Sequence, residues 1–131
     1  MTRTAPFLRW ALLADAAASG GTGLLMLLFA GPLESLLHLP ADLMFNAGIV
    51  LVPYAAIVAF LGMRAALPKW AVWAVIGANA LWVIDSFLLL TAGWVAPNAL
   101  GYAFVIGQAL VVGLFAELQY VGLRRSTPAT A

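Results

Sequence analysis

Hydrophobic residues in this chain do not alternate with polar ones. They come in four long runs separated by short polar stretches. The runs extend from about Phe7 to Ala30, Leu43 to Met63, Trp70 to Ala92 and Ala99 to Tyr120. A run of about 20 apolar residues is long enough for a helix to cross a hydrocarbon core of ~30 Å. The first break, "GPLESLLHLPAD" from Gly31 to Asp42, has Pro32 and Pro40 bracketing a short amphipathic turn suited to a membrane surface. The other two, "RAALPK" and "GWVAPN", are shorter still. Links this short make successive helices antiparallel neighbours. The pattern therefore predicts an all-α integral membrane protein, a single four-helix transmembrane domain over residues 1–131.

Composition sharpens that picture. Hydrophobic residues make up 65% of the chain and charged residues 8%, against roughly 25% charged in a soluble domain. Cysteine is absent, which excludes thiol redox chemistry and thiolate metal sites. The single histidine, His38, lies in a connection, and with Glu34 four positions earlier it supplies two metal ligands, too few for a site. No pair of imidazoles exists to hold a haem between helices. No metal site or cofactor is therefore expected, and a net charge of +1 gives no case for a nucleic-acid partner. At the N-terminus, Arg3 and Arg9 precede an apolar run in the manner of a signal peptide, but Asp15 interrupts it and it continues to Phe29. The expected reading is an uncleaved first span.

Charge sets the orientation. Arg3 and Arg9 precede the first span, Arg64 and Lys69 flank the second connection, and Arg124 and Arg125 follow the last span. The remaining two connections hold no basic residue, and the first carries Glu34 and Asp42. Basic residues beside spans resist translocation, so both termini are expected in the cytoplasm, the protein being multi-pass in a bacterial inner membrane. Trp10, Trp70 and Trp94 fall at the expected interfaces. Trp82 falls near mid-span, where its N–H needs a partner.

The first span also holds the cluster "ADAAASGGTG". Small residues four apart let membrane helices approach closely, so that van der Waals contact replaces the weak hydrophobic drive. Ala16 and Gly20, Ala17 and Gly21, and Ser19 and Gly23 have that spacing, as do Ala109 and Gly113 in the fourth span. They predict tight packing within the bundle or against a second copy. Pro53 interrupts the backbone ladder of the second span and predicts a kink there, with Tyr54 beside it able to reach inward. "RWA" and "KWA" open the first and third spans, and "NAG" and "NALG" the second and fourth, a faint repeat of two hairpins. Arg64 and Glu117 stand at equal distances from Gly48 and Gly101 and are expected to pair at the inner face for about 0–1 kcal/mol.

Polar residues inside the spans are the candidate chemistry. Asp15 shares a helix face with Ser19 and Thr22 and lies about 10 Å inside the boundary. A central carboxylate costs ~2.5–3.5 kcal/mol on insertion scales, so it should face the bundle interior or water. Asn79 lies about 14 Å and Asp85 about 22 Å into the third span, and Gln108 falls near the middle of the fourth. If all face inward, Asp85, Gln108 with Asn79, and Asp15 form a polar staircase across the bundle. Asn79 and Gln108 would also serve as hydrogen-bonding glue between helices.

The segments "NALWVIDSFLLL" and "FVIGQALVVGLFAELQYVGLRR" look like those of small bacterial four-helix membrane proteins of unassigned function, and the overall plan resembles the DoxX-like proteins. The resemblance implies the helical fold and an inner-membrane location, and it carries no functional motif. No nucleophile–base pair is present, so no enzyme is expected. The reading is a non-catalytic scaffold, accessory subunit or self-associating bundle whose partners are the bilayer and either a second copy or a larger membrane complex. The alternative is a small proton-coupled transport or permeation unit using Asp15 and Asp85.

Overall fold

A computed structural model describes residues 1–128. Five helices form: α1 (Pro6–Leu28), α2 (Ala30–Leu37), α3 (Ala41–Gly62), α4 (Lys69–Thr91) and α5 (Ala99–Arg124). Four of them, all but α2, are long and apolar enough to cross a membrane. They match the four apolar runs, with α5 extending four residues past the expected end at Tyr120. Prolines mark three of the helix starts, with Pro6 at the head of α1 and Pro40 and Pro68 just before α3 and α4; their fixed φ and missing N–H suit the entry of a helix. At α5 the cap is Asn98, whose side chain accepts from the Gly101 N–H at 2.8 Å.

Small residues set the closest approaches of α1 to its neighbours α3 and α5. α1 packs tightly on α3, α4 on α5, and α1 on α5, whereas α3 and α4 pack only weakly despite their short link. The two are still in contact, as expected of successive helices, but at a wider backbone spacing. At the α1–α3 seam, a methyl group on Gly23 would meet Leu51 Cβ at 2.9 Å, and one on Gly48 would meet the Gly23 carbonyl oxygen at 2.7 Å. The faces that α3 and α4 turn to each other carry Tyr54 and Asn79, which touch through their side chains. Bulk holds those backbones apart where glycine draws α1 and α3 together.

The small-residue pairs of α1 divide by face. Ala16, Ser19 and Gly23 are buried, whereas Ala17 and Gly21 are exposed, with nothing near the position of a Gly21 methyl. Gly20 sits 3.4 Å from Ala55 by the same measure, and Ala109 is buried while Gly113 meets only Val83 at 3.8 Å. α3 runs unbroken through Pro53, whose ring is on the exposed side.

A three-stranded sheet of two-residue strands closes the end of the bundle, called the terminal end below, where the described residues begin and end. β1 (Thr2–Arg3) lies between β2 (Ala66–Leu67) and β3 (Thr127–Pro128), antiparallel to both. Two-residue strands have no readable period, and the sequence pattern did not predict them. Beneath the sheet, Leu8, Leu12, Ala16, Val58, Leu67, Val72, Val75 and Leu123 form one apolar cluster. At the far end α2 is stapled across the bundle. Asn98 donates to the Leu36 carbonyl at 2.8 Å, and Glu34 accepts from the Ala41 N–H at 2.6 Å. His38 ends α2 in the left-handed conformation, φ 55°, and is exposed. The outward surfaces of the long helices are apolar, with residues such as Leu28, Val50, Ile57, Leu81 and Leu110 more than half exposed. A soluble monomer rarely shows so much contiguous apolar surface.

Candidate functional site

Asp15 is fully buried at 0% exposure and is the hub of a hydrogen-bonded cluster drawn from all four long helices. One turn along α1, Ser19 donates to its Oδ1 at 2.9 Å. From α4, Asn79 Nδ2 donates to Oδ2 at 2.9 Å, and from α5, Gln119 Nε2 donates to the same oxygen at 2.7 Å. The Tyr54 hydroxyl of α3 lies 3.0 Å from Asp15 Oδ2 and 2.8 Å from Asn79 Oδ1, and its single proton serves one of them at a time. Asn79 Nδ2 also donates to Gln119 Oε1 at 2.9 Å, closing the ring. The arrangement is a cradle of four neutral donors around one carboxyl group, with no basic residue in it.

Helix geometry explains the convergence. The starts of α1 and α4 and the ends of α3 and α5 lie together at the terminal end. At ~1.5 Å per residue, Asp15, Tyr54, Asn79 and Gln119 sit about 14, 12, 15 and 8 Å from it. The apolar cluster around Leu8, Leu12 and Val72 lies between them and that end, each of these three at 1% exposure or less.

A second polar group forms farther along. Trp82 Nε1 donates to Gln108 Oε1 at 2.6 Å, which meets the need for a mid-span partner. Gln108 Nε2 donates to Ser86 Oγ at 2.9 Å and to the Val105 carbonyl at 2.8 Å, and Ser86 donates to the Trp82 carbonyl at 2.7 Å. Gln108 is thus tied to Trp82 and Ser86 and not to Asn79, so the expected single polar level splits into two.

Two cavities flank the Trp82–Gln108 pair. The larger, about 450 Å³, opens between α3 and α4 toward the far end, and Asp85 lies in its wall with Asn46, Trp94 and Phe104. The smaller, about 180 Å³, is bounded by Ser19, Thr22, Leu51 and Phe115 together with Trp82 and Gln108. Thr22 therefore lines a cavity without joining the Asp15 ring. Asp15 and Asp85 do not share a cavity, because Asp85 is exposed and lies six residues from Asn79, which rotates it about 120° away from the face that carries Asn79 and Ser86. The expected staircase becomes a closed cluster in one half and an open pocket in the other.

The expected pair between Arg64 and Glu117 does not form among the described residues. Both are exposed, and the Arg64 guanidinium lies over the Phe60 ring, 5.5 Å from its centre. No group of three or more metal-ligating side chains occurs among the described residues.

Gln119 and Ser86 escaped the sequence reading. Gln119 falls one residue before the expected end of its span, where a polar residue attracts no notice. Its spacing of 11 from Gln108, about three turns, was the available signal that both lie on one inward stripe. Comparison with known protein families, with curated proteins and with solved structures finds no match.

Proposed function

We propose that the protein is a non-catalytic, multi-pass membrane bundle that acts as a scaffold or accessory subunit, set in a bacterial inner membrane with both termini in the cytoplasm. The observation that carries this reading is the Asp15 ring. Its polar atoms are consumed by contacts between the four helices, and it is dry on the terminal side. A buried polar network that is fully satisfied fixes one arrangement of the helices and leaves no group free for chemistry. The exposed Ala17–Gly21 edge of α1 supports association with a second copy or a larger complex, since small residues allow close helix contact there.

The test is proton flux in proteoliposomes that trap a pH-sensitive dye, under an imposed potential. The scaffold reading expects no flux above protein-free vesicles. A flux that Asp15→Asn abolishes would overturn it and install proton-coupled transport in its place. One observation favours that second reading: Ser19 bonds Asp15 and also lines the smaller cavity, so a single hydroxyl links the ring to that space.

Orientation has its own test, made clean by the absence of native cysteine. On intact cells an impermeant maleimide is expected to label Ser35→Cys and to spare Ala65→Cys. The reverse pattern would place the termini outside.

A further inference from the structure

The larger cavity has a composition that selects a ligand. Its walls are mostly apolar and aromatic, including Met26, Met44, Trp82, Trp94 and Phe104, and its volume of about 450 Å³ is within the ~300–1,000 Å³ typical of small-molecule sites. Its polar groups divide into used and unused. Trp82, Gln108 and Ser86 spend their hydrogen-bonding capacity on one another and on backbone. The Asn46 amide and the Trp94 N–H lie in the wall as neutral groups, and Asp85 is the one charged residue there.

No cation stands near to balance Asp85. All six basic residues belong to the terminal end of the bundle, and the far end holds Glu34, Asp42 and Asp85 with the exposed His38. A carboxylate at the mouth of an aromatic pocket attracts positive charge, and indole and phenyl faces add cation–π attraction. An anionic amphiphile such as a fatty acid meets repulsion at the same place. Trp82, Asp85 and Leu89 recur along α4 at spacings of three and four, so the acid and its aromatic and aliphatic neighbours line one side of the helix.

We propose that this cavity binds small lipophilic cations, compounds with an apolar aromatic body and a delocalised or quaternary positive charge, with Asp85 as the counter-charge. The site is distinct from the Asp15 ring and does not depend on whether the bundle is a scaffold.

The experiment uses the full chain in nanodiscs and compares tetraphenylphosphonium with tetraphenylborate, which share a shape and differ in the sign of charge. Binding is measured by equilibrium dialysis, with protein-free nanodiscs giving the lipid partition. Saturable binding of tetraphenylphosphonium at one per chain is expected, with no saturable binding of tetraphenylborate. Asp85→Asn is expected to weaken the cation about tenfold at low salt. Since Asp85 is exposed, this variant keeps its thermal midpoint. Ala47→Phe, which fills the cavity from α3, is expected to abolish binding while leaving Asp85 in place. Equal binding of the two ions, or cation binding indifferent to Asp85→Asn, means partition into lipid and overturns the proposal. So does the absence of cation binding because a bilayer acyl chain occupies the cavity.

Discussion

The two halves of this bundle treat an aspartate on a long apolar helix in opposite ways. Near the termini Asp15 is enclosed at 0% exposure, with a donor from each of the other three long helices and one from its own. In the far half Asp85 stands exposed in the wall of a cavity, with no hydrogen-bonding partner among the described residues. The difference comes from packing around the acid and not from the acid itself. Glycine and alanine bring α1 against α3, and the apolar cluster below Asp15 excludes water, so its polar neighbours must turn inward. Where α3 and α4 separate, the cavity remains and Asp85 has no helix face to pair with.

If Asp15 is a structural hub and Asp85 is not, their removal should differ sharply. Asp15→Ala strips four hydrogen bonds from the ring and leaves the Asn79 and Gln119 amides without that acceptor. At ~0.6 kcal/mol for each interhelical bond the loss is about 2 kcal/mol. Reversible unfolding in mixed micelles measures it, with Asp85→Ala expected within ~0.5 kcal/mol of the parent. Equal losses would erase the contrast between the halves.

Close backbone approach gives the next largest effect. A methyl group on Gly122 would stand 2.7 Å from Leu8 Cα, in backbone that cannot yield cheaply. Gly122→Ala is expected to cost about 1–3 kcal/mol by overpacking. Gly21, Gly77 and Gly107 have open space around them, so alanine there should be neutral or slightly stabilising through its helix propensity. The same unfolding assay separates the two groups, and a destabilising Gly77→Ala would contradict this account of the surface.

Smaller effects sharpen the description of the far half. Asn98→Ala removes the α5 cap and its bond to the Leu36 carbonyl, at an expected cost of about 1 kcal/mol. Hydrogen exchange should report the loss first in the opening turn of α5. Trp82→Phe keeps an aromatic side chain, smaller than the indole, and removes the bond to Gln108, a bond worth about 0.6 kcal/mol. A variant cost below measurement would mean that the pair divides the two cavities without holding the helices.

Much of the architecture was legible in the residues. Four apolar runs gave the long helices to within a few residues, because length and hydropathy are local properties that no neighbour needs to supply. Asp15 was legible as a group that must face inward, since a carboxylate in an apolar span has few other places to go. Its partners were less so. Asn79 and Ser19 stood out as polar residues at depth, whereas Gln119, a main donor to Asp15, was hidden by its place at the end of a span.

What the sequence by itself determined is thus a set of constraints on each helix: its length, its polar stripe, and its crowding of small residues. Tertiary structure decided which stripes meet. Asp85 and Asn79 lie on one helix only six residues apart, yet about 120° of rotation sends one to a cavity and the other to the Asp15 ring. Asn79 and Gln108, expected at one level, join different groups: at ~1.5 Å per residue Gln108 lies about 24 Å from the terminal end against about 15 Å for Asn79, and at that depth it accepts from Trp82. The two-residue strands at the terminal end carry no periodicity and exist because packing brings three chain segments side by side. Helix rotation and spacing depend on side chains from several segments at once, and a reading along one chain holds no term for that sum.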